Sequence, residues 1–223
     1  MPKIISVEPQ KKNPRRFNIF LDGVFAFGAD EDLVVNYHLV PGKIVQPREL
    51  EKLLFESEVG KLMERMYGLF SVRMRSEKEV RDYLKNLSFK RKTKGKEEIS
   101  DLVIDILVER LKQKGMLNDL EFAKAWVEGR RRSKQKGVRA LKAELYQKGI
   151  DREIVEEVLR LADARSGQVS EEDLAKLALE KKMKSWKNLP ELEFKKKAIE
   201  FLLRRGFEYS IVRVVVAKLG QKR

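Results

Sequence analysis

The 223-residue chain has no cysteine and one histidine, His38. The absence of thiols excludes a disulfide framework and any thiolate nucleophile or metal ligand. With a single imidazole, set beside a turn in VVNYHLV, zinc sites and Cys–His or Ser–His nucleophiles lack their parts. Aromatic residues make up only 8% of the chain. No apolar run approaches the ~20 residues that a membrane span requires. The opening MPKIISVEPQKK has no apolar signal segment, so the expected location is the cytosol. Neither GxxxxGK[ST] nor GxGxxG occurs, which removes the common nucleotide-binding signatures. Asp30, Glu31 and Asp32 form the tightest acidic cluster. A metal-dependent nuclease would need further carboxylates converging on them. A helix first turn, where the dipole favours acidic side chains, accounts for them more simply. These absences point to a protein that is not an enzyme and uses no cofactor or metal.

What the chain has is charge. Charged residues reach 38%, and the net charge is +14. Residues 1–60 hold 8 basic and 9 acidic side chains, residues 61–150 hold 24 and 13, and residues 151–223 hold 17 and 13. The excess therefore sits in the middle, the mark of a polyanion or an acidic partner. Its densest part lies between Arg130 and Lys142, with seven Lys or Arg and no carboxylate.

The first residues read as β. Two apolar runs in RFNIFLDGVFAFG are joined by Asp22-Gly23, a dipeptide suited to the positive φ of a tight hairpin. ADEDLVVNYHLV reads as a short helix with an acidic first turn, and Pro41-Gly42 as a turn. From Pro47, well placed at a first helical position, the pattern is helical to the end. That pattern repeats. Leu84, Leu145 and Leu202 align, with Val80, Leu141 and Ala198 four residues before them and Ser88, Gly149 and Gly206 four after. Phe89, Ile150 and Phe207 come next. Ile99 then falls opposite Ile154 and Ile211, and Val103-Ile104 opposite Val158-Leu159 and Val215-Val216, once six extra residues are allowed in the basic loop KRKTKGKEE. An additional helix precedes each pair: KLMERMYGLF, LEFAKAWVEGR and EDLAKLALEKK. Ser76 with Glu79 and Asn118 with Glu121 give capping-box patterns, and Asp151 and Ser170 are good N-caps. The expected architecture is mainly α: a small N-terminal β-hairpin segment over 1–57, then three-helix repeats over 58–117, 118–165 and 166–223, stacked into an elongated, curved body.

LFSVRMRSEKEVRDYL, LNDLEFAKAWVEGR, KGVRALKAELYQKGI and FLLRRGF, in this order and spacing, resemble the RecX family of bacterial recombination regulators, and the resemblance covers essentially the whole chain. It implies three tandem three-helix repeats. It also implies a regulator, mostly an inhibitor, of the RecA recombinase that binds along the groove of the RecA–DNA filament. Ser88, where the family usually has a helix-ending glycine, and the long basic loop from Lys90 to Lys96 depart from the pattern. The rival reading is a helical nucleic-acid-binding module that acts on DNA without RecA.

The candidate interface is a basic ridge. On LEFAKAWVEGR, Ala123, Trp126, Val127 and Arg130 share one stripe, so Trp126 reads as core and Arg130 as a packed stem with its head reaching out. Arg131, Arg132 and Lys134 point elsewhere, toward solvent or a partner, and Lys136 is counted in the same ridge. Arg139, Lys142 and Tyr146 form the outer row of the next helix. Its counterpart in the first repeat is Lys78, Arg81 and Lys85. In the third repeat it is Lys196, Ile199 and Leu203, a largely apolar row. Arg73 and Arg75 extend the ridge, with Arg75-Ser76 at a helix start suited to an anion. A solvated helix face is the plainer explanation of any single row. Such cations suit single- or double-stranded DNA backbone, or an acidic protein surface, without reading sequence. The chain is expected to be monomeric.

Overall fold

In the computed structural model, all residues are described except 12, 166–169, 187 and 221–223, with the side chains of 163–165 also left aside. The described residues form two compact units. One comprises Met1–Met74 with Leu84–Met116, and the other Arg75–Tyr83 with Leu117–Arg223.

The first unit begins with β1 (Ile4–Gln10), β2 (Asn13–Leu21) and β3 (Val24–Asp30). They form an antiparallel sheet in the order β1-β2-β3. The expected hairpin is β2–β3, turning on Asp22 at φ 49° and Gly23 at φ 85°. Positive φ at both positions matches the right-handed strand twist, which is why Asp-Gly serves there. The N-terminal segment is nonetheless a three-stranded sheet rather than a hairpin alone. IISVEPQ, with Pro9 and little apolar alternation, gives a weak strand signal and lies at an edge, where a proline is tolerated. Its outer side is closed by the 42–45 segment: the Ile4 N–H donates to Lys43 O at 2.8 Å and the Val45 N–H to Pro2 O at 2.9 Å. Ile4, Ile19, Phe27 and Ala29 cover the inner face with Leu33, Leu39, Val45 and Leu53. Helix α1 (Glu31–Asn36) is capped by Asp30, whose carboxylate accepts the Leu33 N–H at 2.8 Å. Helix α2 (Pro47–Phe70) has Pro47 in its first turn and runs unbroken through residue 57.

Helices α3 (Glu77–Lys92) and α4 (Asp101–Gln113) complete the first repeat. Here the structure corrects the repeat register. α3 does not stop at Ser88 but continues through Lys90, Arg91 and Lys92. Phe89 is 65% exposed, whereas its supposed equivalents Ile150 and Phe207 are buried at 3% and 0%. Ile99, buried at 6%, takes that slot instead. The first repeat therefore carries ten extra residues rather than six. Ser88 stands at the new seam, its buried hydroxyl accepting the Ile99 N–H at 2.9 Å.

The second repeat is α5 (Asp119–Lys134), α6 (Val138–Gln147) and α7 (Arg152–Arg165). The third is α8 (Glu171–Met183), α9 (Glu191–Arg204) and α10 (Tyr209–Gly220). Each has its own core. Phe122, Val127, Leu141, Leu145, Val155 and Val158 build one. Leu179, Phe194, Leu202, Phe207, Val212 and Val216 build the other. In the third repeat's outer row, Ile199 packs against that core, while Leu203 is 39% exposed.

Within the second unit the same junction occurs twice. At the first, the Glu77 N–H, opening α3, donates to the Asp119 carboxylate at 2.9 Å. At the second, the Val138 N–H, opening α6, donates to the Glu171 carboxylate at 3.0 Å. Asp119 and Glu171 each occupy the first position of the following repeat's leading helix. The end of each repeat's middle helix docks alongside. Gly149, at φ 77°, leaves no room for a Cβ against the Lys78 side chain. Gly206, at φ 84°, leaves none against Ala140. The Gly137 N–H completes the second junction by donating to Arg205 O at 2.9 Å.

Candidate nucleic-acid interface

Helix α5 begins at Asn118, whose side chain accepts the Glu121 N–H at 3.1 Å. Its apolar face buries Phe122, Ala123 and Val127. Arg131, Arg132 and Lys134 consequently fall in the last turn, where cations also complement the helix dipole. Gln135 ends the helix at φ 42°, and its side-chain amide donates to Arg132 O at 2.9 Å. Arg132 and Lys134 are exposed, with no side-chain ion pair among the described residues. Arg131 is half-buried and engaged within the protein.

Lys136 and Arg130 belong to an internal charge cluster. Glu144 on α6 holds Arg130 Nε at 2.9 Å and Trp126 Nε1 at 2.8 Å, and also pairs with Lys136. Arg130 thus turns its head inward, over the Trp126 ring at 4.3 Å, rather than outward as the stripe suggested. Trp126 is half-buried against the second repeat's core, stacked on Phe122 at 5.7 Å with Lys148 at 5.1 Å from its ring. An indole enclosed on these sides is not a platform for a base. Burial alone would raise the Glu144 pKa, but its bonds to Lys136 and Trp126 and the charges of Lys136 and Arg130 bring it below the ordinary 4.5. A depressed carboxylate stabilises the fold above its unfolded pKa, and that stability is lost as pH falls through the folded value. Glu144→Gln is therefore expected to cost about 1–3 kcal/mol at neutral pH, the range for stranding hydrogen-bonded partners. The gap from the parent should shrink as pH drops below 4.5. Thermal melting across pH checks this; a gap independent of pH contradicts it.

The remaining ridge positions divide similarly. Lys142 pairs with Glu156 at 2.7 Å, and Arg81 with Glu77 at 2.7 Å. Lys78 reaches Asp82 at 3.5 Å and Gln147 O at 3.2 Å. Arg73 donates to Met74 O at 2.8 Å. Lys85, further along α3, and Arg139, at the start of α6, are exposed without an ion pair among the described residues. Of the basic loop, Arg91 is held by Glu58 and Lys92 by Glu98. The Arg75-Ser76 helix start is not open to an anion. Ser76 is fully buried, its hydroxyl donates to Lys148 O at 2.7 Å, and the Asp119 carboxylate already takes the Glu77 N–H. The sequence pattern offered the site because the acceptor lies 42 residues downstream.

Arg132, Lys134 and Arg139 gather around the α5–α6 turn, where the third repeat docks. Lys134 O accepts from the Arg205 guanidinium, and the Arg139 N–H donates to Gly206 O at 3.2 Å. Arg205 is a participant that the sequence did not single out. Its guanidinium lies 4.6 Å from the Phe201 ring centroid, and burial pushes its pKa down. The FLLRRGF motif contains it, but nothing there shows which arginine turns inward. The arrangement presents guanidinium and ammonium groups to an anion.

Comparison with known proteins gives a consistent set of matches. Residues 2–46 match the regulatory protein RecX N-terminal domain, residues 118–159 the second three-helix domain of RecX, and residues 170–216 the third. A regulatory protein RecX of Bacillus subtilis (strain 168) is 37% identical over 215 residues, spanning 95% of this chain and 75% of that protein. The Bacillus velezensis protein of the same name is 36% identical over 212 residues, with the same coverage. Among solved structures, a crystal structure of regulatory protein RecX superposes with a TM-score of 0.72 at 23% identity, covering 96% of this chain and 98% of that one. RecX from Lactobacillus salivarius gives 0.58 at 23% identity, covering 73% and 97%. At this identity the structural likeness speaks for the fold.

Proposed function

The chain belongs to the RecX family of regulatory proteins, and from that premise we propose that it regulates the RecA recombinase, as an inhibitor seated in the groove of the RecA–DNA filament. The observation that carries the reading is the group of exposed cations at the α5–α6 turn, Arg132, Lys134 and Arg139, which have no ion pair among the described residues. They supply the non-sequence-specific grip on phosphate, or on acidic recombinase surface, that groove binding needs. The protein works as a cytoplasmic monomer without metal or cofactor. Among the described residues no helix is long and apolar enough to cross a membrane. The same cations favour a second reading, a module that binds DNA without RecA. The test is RecA-dependent ATP hydrolysis on single-stranded DNA with substoichiometric amounts of the chain. A fall in hydrolysis supports the first reading; no change at any ratio removes it.

A further inference from the structure

The ten extra residues of the first repeat, 89–98, build another basic surface, within the first unit. They carry α3 past Ser88 and end it in an ordered turn. Gly95 stands there at φ 65°, its N–H donating to Lys92 O at 3.0 Å, and the Lys96 N–H reaches back to Arg91 O at 3.1 Å. This is a Schellman closure, for which glycine is the favoured residue. Arg91 pairs with Glu58 of α2 and so pins the added turn to the body of the unit. Lys92 pairs with Glu98 at 2.7 Å. The other cations of the stretch, Lys85, Lys90, Lys94 and Lys96, are exposed with no ion pair among the described residues. Only one carboxylate of residues 85–98, Glu97, is likewise without an ion pair there. Among these lysines Phe89 is 65% exposed. Lys85 and Asn86 lie one turn before it and Thr93 one turn after, on the same stripe of the helix.

We infer that Phe89 and these four lysines form a binding site for single-stranded nucleic acid, with the ring stacked on an unpaired base and the ammonium groups on the neighbouring phosphates. The charge selects a polyanion: four unpaired lysines outweigh the single free carboxylate of Glu97. The isolation of the ring selects a base over a protein segment. Its neighbours along the helix are Lys85, Asn86 and Thr93, so α3 offers no apolar row for a partner helix to lie on. An exposed aromatic face beside backbone-tracking cations is the arrangement that holds single strands, and it tolerates any sequence because every base has a π-face. In a duplex the bases are already stacked on one another, so the ring has use only for unpaired ones. Trp126, the aromatic residue of the other basic run, cannot serve in this way, because Phe122, Arg130 and Lys148 enclose it. The inference deepens the nucleic-acid side of the proposed function and rests on that reading for the presence of a single strand. It does not require RecA.

The experiment measures affinity for oligothymidylate, for an abasic strand of equal length and for duplex DNA at several salt concentrations. The full chain is used with Arg132, Lys134 and Arg139 changed to alanine, so that the α5–α6 turn does not mask the result. In that background Phe89→Ala is expected to weaken oligothymidylate binding by about tenfold, equivalent to ~1.4 kcal/mol, with the salt slope unchanged. A loss of this size fits one stacked base. Phe89→Leu keeps apolar bulk without the ring and should lose as much, whereas Phe89→Trp should bind as well as the background chain. The abasic strand and the duplex should not distinguish the three variants. Changing Lys90, Lys94 and Lys96 to alanine should instead flatten the slope, by up to about 2 on single strands at ~0.7 for each cation. No binding by the background chain, equal affinity with and without the ring, an equal loss on the abasic strand, or full rescue by leucine overturns the inference, the last assigning Phe89 to an apolar contact. RecA-dependent ATP hydrolysis separates this claim from the RecA reading. A parent chain that leaves hydrolysis unchanged removes the RecA reading, while the bare-strand data still decide the stacking site. A parent that lowers hydrolysis, with all Phe89 variants binding single strands alike, removes the stacking site alone. Phe89 is exposed, and unchanged thermal melting confirms that each variant is folded.

Discussion

Replacing Gly206 by alanine is expected to lower the melting temperature by roughly 5–15 °C, at ~2–4 °C per kcal/mol for a chain of this size. Two costs add. Gly206 has φ 84°, where a side chain costs roughly 1–2 kcal/mol through its clash with the backbone. A Cβ there would also meet the Ala140 backbone at the junction of the second and third repeats. That neighbour is the start of α6, which cannot rotate away as a flexible side chain could, so overpacking adds about 1–3 kcal/mol. Gly115→Ala is the control. Gly115 has φ 67° with open space around it, so only the backbone cost applies. The larger loss at Gly206 isolates the junction. Equal losses in the two variants would mean that the third repeat does not depend on this close approach.

The second large effect concerns charge. Changing Arg132, Lys134 and Arg139 together to alanine should weaken DNA or filament binding while leaving melting nearly unchanged. These side chains are exposed and hold no carboxylate of the described protein. Removing one cation from a phosphate should flatten the dependence of log affinity on log salt by ~0.9 on duplex and ~0.7 on single strands, so the triple variant loses up to about 2 on single strands. Lys142→Ala is the contrast, because Lys142 is already paired with Glu156. Its slope should scarcely move. Affinity measured at several salt concentrations decides. An unchanged slope in the triple variant makes the α5–α6 turn a solvated face.

Features fixed by neighbours in sequence were legible. Asp22-Gly23 turns a hairpin, Asn118 and Ser170 cap helices through the N–H three residues ahead, and the Leu84, Leu145 and Leu202 positions are all fully buried. What depends on distant partners was not. The register error at Ser88 illustrates the limit. A slip of four residues is one helical turn, so the apolar face of α4 stays in phase and Val103 and Ile104 read as inward in either register. Only the buried Ile99 and the exposed Phe89 tell the two apart. The ridge shows the same limit in electrostatic form. A run of Lys and Arg reveals how many cations exist, not which ones a carboxylate elsewhere in the fold has claimed. Glu144 takes Arg130 and Lys136 from within the densest basic run, while Arg132, Lys134 and Arg139 are left to solvent. Arg205 enters the junction from 71 residues away.

The proposed target is the RecA filament rather than DNA alone. The most direct measurement assembles RecA on single-stranded DNA, adds the chain in substoichiometric amounts, and follows ATP hydrolysis together with the partition of labelled chain between filament and an equal mass of bare strand at the same salt. Enrichment on the filament and a fall in hydrolysis are expected, with both weakened by the triple change at Arg132, Lys134 and Arg139. Labelled chain divided evenly between filament and bare strand, with hydrolysis unchanged at every ratio, would contradict it.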